Sequence, residues 1–141
     1  MSNLEQLENY EDEIEAKEDQ VEEADEKLAE VNERLDNIES AIGQLSDDQE
    51  VAGSLESNRE DAEQQKEEVE QQREELASEL DGMLGELEEM QEENENSAEV
   101  LSELASSGED VGEASQIVES RRSQIEQYKN RIQQMQNNLR S

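Results

Sequence analysis

The sequence predicts an all-α fold, an elongated antiparallel helical bundle or coiled coil with three helices running up, down and up, two long and one shorter. Three observations carry that expectation. Apolar residues recur at heptad spacing along most of the 141 residues. The chain has no Pro and only six Gly, so little in it interrupts a long helix. Its only aromatics are Tyr10 and Tyr128, with no Phe or Trp. A compact globule of this size normally buries several such rings, whereas Leu, Ile, Val, Met and Ala are enough for thin helix seams.

The first helix is expected over about 3–44. Leu7, Ile14, Val21, Leu28, Leu35 and Ile42 stand seven apart and define position a. Tyr10, Lys17, Ala24, Val31, Ile38 and Leu45 follow three later and define d. Eleven of these twelve positions are apolar or tyrosine, a run that only a helical period explains. The pattern breaks within 43–56, where "GQLSDDQEVAGSLES" holds a turn. Ser46 with Gln49 reads as a capping box, and Asp47 and Asp48 suit the positive end of a new helix. Ser57 with Glu60 offers a later start; the early one is favoured, with Gly53 tolerated inside the first turns.

The second helix is expected over about 47–105. Its d positions are Leu55, Ala62, Val69, Leu76, Met83, Met90, Ser97 and Leu104, and its a positions are Arg59, Lys66, Arg73, Leu80, Leu87, Asn94 and Leu101. The first half of this seam is thus cationic and the second half apolar. Gly82 and Gly85 fall in the apolar half, where close approach of helices is the expected reason and a hinge the alternative. A turn at about 106–110 has Gly108 as the helix stop, with Asp110 and Glu113 as the next capping box. The third helix, about 111–139, carries Val111, Ala114, Val118, Ile125, Tyr128, Ile132, Met135 and Leu139, with Arg121 the one polar residue at heptad spacing.

Short turns make successive helices antiparallel. At ~1.5 Å per residue the first two helices reach ~65–85 Å and the third ~45 Å. The third can therefore cover only about 76–104 of the second. The expected arrangement, within a single helical domain spanning 1–141, is a three-helix base with a two-helix stem.

Charge divides along the same line. Residues 1–45 hold 16 acids and three bases, residues 46–105 hold 22 and three, and residues 106–141 hold five of each. The net charge of −32 argues against binding nucleic acid through phosphates and against docking on anionic lipid. It fits a solvated acidic surface or adaptation to high salt. Seven Arg against four Lys suits the saline reading, while 34 Glu against nine Asp suits any helical protein.

Arg59, Lys66 and Arg73, the only cations of the second helix, all occupy a positions of the stem. Their methylene stems can lie on facing apolar side chains while the charged heads reach water. Glu11, Glu18, Asp25 and Glu39, on the first helix, are the expected acceptors. Polar a residues typically trade stability for register and partner choice, so these three read as register markers. Val21, Leu28, Val31, Leu35, Ile38 and Ile42 then exceed what Leu55, Ala62 and Val69 can cover. With the three cations they form the expected partner-binding seam, completed by a second copy of the chain (a homodimer) or by a helical hetero-partner. The basic end of the third helix, with five cations against one acid over 121–140, is expected to dock on the acidic helices of its own chain.

Chemistry finds little to use. Without His, Cys, a G-x-S-x-G turn or a P-loop, the usual bases, nucleophiles and phosphate cradles are missing. Carboxylates such as Glu67, Glu68 and Glu70 would hold a metal only loosely. A calcium loop beginning near Asp48 fails because its twelfth position is Arg59 instead of a bidentate Glu. No catalytic, cofactor-binding or metal-binding residue is therefore assigned, and no cofactor is expected. The start "MSNLEQLENYEDEIE" has no signal-peptide core, and no run approaches a membrane span. The expected location is cytoplasmic, or outside by a leaderless route. The expected function is that of a non-enzymatic coiled-coil adaptor or structural subunit acting through helix–helix association. The alternative is a small acidic helical chaperone or targeting partner of a larger exported or phage-associated protein.

Overall fold

Leucine, isoleucine and valine at seven-residue spacing draw most of the chain into three α-helices. The computed structural model describes residues 3–140. A 3₁₀ turn, Asn3–Gln6, leads into α1, Leu7–Leu45; α2 is Gln49–Ser106 and α3 is Gly112–Arg140. Among the described residues there is no strand.

The ends of the helices follow local chemistry. The α1–α2 turn is only Ser46–Asp48, so the early start of α2 is the right one. Its cap is Asp48 and not the expected Ser46. Asp48 Oδ1 accepts from the amides of Glu50 at 3.1 Å and Val51 at 3.3 Å. Asp48 directly precedes the first helical residue, so its short carboxylate reaches the orphan amides of the first turn. The α2–α3 turn is closed by Gly108, whose φ of +90° no β-carbon tolerates well. The Gly108 amide donates to Ala105 C=O at 3.0 Å and that of Glu109 to Leu104 C=O at 3.0 Å, a Schellman pair that stops α2. Asp110 Oδ1 then accepts from the Gly112 amide at 3.2 Å and opens α3.

The described residues fall into two compact units, 3–18 with 77–140, and 19–76. The first unit packs three helical segments, with α1 and α3 each antiparallel to α2. Its core is Leu4, Leu7, Tyr10 and Ile14 from the N-terminal segment, Leu80, Met83, Leu87 and Met90 from α2, and Val118, Ile125, Tyr128, Ile132 and Met135 from α3. Each such side chain contributes about 1.5–3 kcal/mol on burial. The Tyr10 hydroxyl is shared between Met83 C=O at 3.0 Å and Glu86 at 3.1 Å, and its ring centroid lies 6.0 Å from that of Tyr128.

The basic end of α3 docks within this unit as expected. Arg131 bonds Glu11 at 3.3 Å and also Glu18, Arg140 pairs with Asp81 at 3.3 Å, and Arg122 bonds Glu95 at 2.8 Å. Two buried polar side chains settle the α2–α3 register. Asn94 Nδ2 donates to Val118 C=O at 2.9 Å, and the Gln136 amide bonds Asp81. Gln136 lies off the heptad seam, so periodicity alone does not find it.

Gly82 and Gly85 do not serve close helix approach. A β-carbon at either would meet nothing within 4 Å, because both face away from the neighbouring helices. Toward the ends of the seams, the d residues Leu45 and Leu104 are exposed.

Candidate functional site: the α1–α2 seam over residues 19–76

In this unit the expected seam residues divide by position rather than acting as one strip. Val21, Val31 and Ile38 are buried, Val31 and Ile38 in a cluster with Ala62. Leu28, Leu35, Ile42 and Leu55 pack against that cluster but stay partly exposed. Register explains the division. The Arg73–Asp25 ion pair and a 2.7 Å bond from Arg34 to Gln65 align the helices antiparallel. In that register the d residues of α1 come level with the cationic a residues of α2, Val31 with Lys66 and Ile38 with Arg59. The a residues of α1 come level with small d residues, Leu35 with Ala62 and Leu28 with Val69. Long Arg and Lys stems cover what they face. Ala and Val do not reach far enough to cover a leucine.

The three cations differ from one another. Arg73, with 11% of its side chain exposed, bridges to Asp25, as expected. Arg59 turns back on its own helix, to Glu56 at 3.1 Å and Glu63 at 3.8 Å. Lys66 is half-buried with its head group in no ion pair among the described residues. The other expected acceptors do not serve these cations. Glu11 and Glu18 belong to the three-helix unit, where Arg131 takes both, and Glu39 is exposed.

One side of the helix pair is grooved. A cleft of about 390 Å³ is lined by Glu30, Arg34, Ile38, Ala41 and Leu55 among others, and a second of about 340 Å³ by Val31, Arg34, Gln65 and Val69. Arg34 stands between them and was not singled out by heptad reasoning. As the only arginine of α1, next to seam residue Leu35, it had a visible signal.

No family, no curated protein and no solved structure matches this chain. The site must therefore be read from its own chemistry. Among the described residues no group of three or more acidic side chains is placed to hold a metal ion, and no helix is long and apolar enough to cross a membrane. The segment after Asp48 is helical from Gln49 onward, so it has no calcium-loop shape. What the seam offers is apolar surface at helical spacing, edged by charge.

Proposed function

We propose that this chain is a non-enzymatic helical interaction subunit, an adaptor or structural component that associates through the seam of residues 19–76. One observation carries the reading. Leu28, Leu35, Ile42 and Leu55 line up on a two-helix pair that covers them only in part. A third helix laid along the pair would remove these side chains from water, which is the ordinary driving force for helical association. The cations would act in the choice of helix. Lys66, in no ion pair among the described residues, would favour a carboxylate on the incoming helix, and Arg34 would offer a second contact at the clefts. Charge also shapes the partner: residues 19–76 carry 21 acids and five bases, so joining two such faces requires salt or a basic partner.

The test replaces Leu28, Leu35 and Ile42 with Asn, and mass is followed by light scattering at low and molar salt. The wild type is expected to associate, with itself or with a co-purified helical protein, and the triple variant to remain monomeric with its helicity kept. A wild type that stays monomeric and partner-free under all conditions, like the variant, would end this reading.

A further inference from the structure

The slot that α1 fills in the three-helix unit continues past the start of α1, and there it is uncovered by any described residue. Its two walls can be followed by helical period. On α2, Glu79 and Glu86 face α1, bonding Lys17 and Tyr10, and Val100 lies on the same face two heptads beyond Glu86. On α3, Arg131 faces α1 through Glu11 and Glu18, and Ile117 lies two heptads before it on that face. Near the start of α1, Leu4 and Leu7 share a cleft with Ile117 and Arg121. Beyond it, a groove of about 520 Å³ runs between Ser97, Val100 and Leu101 on α2 and Ala114, Ile117 and Val118 on α3, with Arg121 at its edge.

Exposure marks this groove. Of the four exposed large apolar side chains among the described residues, the two most exposed line this groove: Val100 at 55% and Ile117 at 52%. Two helices without a third leave such side chains wet, as the filled part of the same slot makes plain, where Leu7, Tyr10 and Ile14 are 2% exposed or less. The charge around the groove is mostly acidic. Glu103 and Glu113 stand one turn from Val100 and Ile117, and Glu5 and Glu8 line the adjoining cleft. Arg121 is the one cation among them and is in no ion pair among the described residues.

We propose that this groove docks a short basic amphipathic helix from another protein, laid end to end with α1. Its apolar stripe covers Val100, Leu101 and Ile117. Lysines or arginines on its flanks meet Glu103 and Glu113, and a single carboxylate in the stripe meets Arg121. A second copy of this chain is the poorer occupant, because its own exposed helix faces are acidic. This docking site is separate from the seam of residues 19–76, and either can fail without the other.

The probe is a synthetic peptide of about three helical turns with leucines at heptad spacing, lysines on both flanks and one glutamate in the stripe. It is titrated into the full chain labelled for amide NMR. Shifts confined to residues 96–121 are expected, with affinity at least tenfold weaker for Ile117→Asn and for Val100→Asn, both exposed and compatible with the fold. A peptide keeping the lysines but with serines for leucines should lose binding by the same factor. Shifts spread along the acidic faces, equal binding of the serine peptide, or unchanged affinity in both variants would overturn the proposal. So would self-association of the peptide-free chain that Ile117→Asn abolishes, which would assign the groove to a second copy.

Discussion

Replacing the seam cations with leucine separates what each of them does. At Lys66 and Arg59 a leucine would add roughly 40 Å² of buried apolar surface against Val31 and Ile38, about 1 kcal/mol each at ~25 cal/mol per Å². Arg59 would give up its pairs with Glu56 and Glu63, which lie on its own exposed helix face and contribute about 0.3–0.5 kcal/mol. Lys66 has no such pair to lose. The double variant Arg59→Leu, Lys66→Leu should therefore gain about 1.5 kcal/mol, a rise of roughly 3–6 °C in Tm for a chain of this size. Arg73 is different. Its bridge partner Asp25 keeps only a third of its side chain in water, so an unpaired carboxylate there costs about 1–2 kcal/mol. Small Ala24, level with Arg73, gives a leucine little to pack on. Adding Arg73→Leu should cancel most or all of the gain. The assay is thermal melting by far-UV circular dichroism, with mass by light scattering on each variant. A double variant that melts below the wild type would mean that the cationic heads at 59 and 66 are essential. A triple variant that melts as far above the double as the double does above the wild type would mean that the Arg73–Asp25 bridge contributes nothing. Light scattering should also find the triple variant in mixed oligomers, because the polar markers are gone.

Three other outcomes follow from the charges, the buried tyrosine and the glycines. Raising KCl toward ~1 M should raise Tm, because the net charge of −32 repels itself and salt shortens that repulsion to ~3 Å; a flat or falling curve would remove self-repulsion as a governing effect. Burial, and then the charge of Glu86, push the Tyr10 hydroxyl well above its ordinary 10.0. Its neutral form is thus favoured by folding, and that stability, complete below about pH 10, is lost as pH rises through the raised value. Tyr10→Phe should flatten this alkaline loss while costing about 1–2 kcal/mol at neutral pH, and an unchanged alkaline melt would refute the assignment. Gly82→Ala and Gly85→Ala should each stabilise α2 by about 1 kcal/mol, since the new methyl meets open space. Gly108→Ala should destabilise by a similar amount, because φ is +90° there. Melts with the opposite signs would reverse both conclusions.

Helix existence, order and capping regions were legible from residue types alone, because the seven-residue period and the turn chemistry are local. Gly108 and Asp110 could be assigned their parts in the α2–α3 turn from sequence, since a left-handed stop and a first-turn cap need only near neighbours. The choice between Ser46 and Asp48 was not legible in this way: both side chains can cap, and only the exact start of α2 selects one. The partition of the seam was partly visible. Heptad counting placed Arg59, Lys66 and Arg73 opposite α1, but it treated the apolar residues of α1 as one strip and did not separate the buried Val31 and Ile38 from the partly exposed Leu28 and Leu35.

What periodicity could not decide is which side chain comes level with which, because a seven-residue repeat allows several registers that differ by whole heptads. The tertiary structure chose the one that brings Arg73 to Asp25 and leaves Arg59 to its own helix. That choice set Lys66 beside Val31 and left Leu28 and Leu35 facing Val69 and Ala62, too short to cover them. It also gave Glu11 and Glu18 to Arg131, more than a hundred residues away in sequence, where no local pattern points. Local chemistry determined the helices. Long-range register determined which of their apolar side chains stay partly in water.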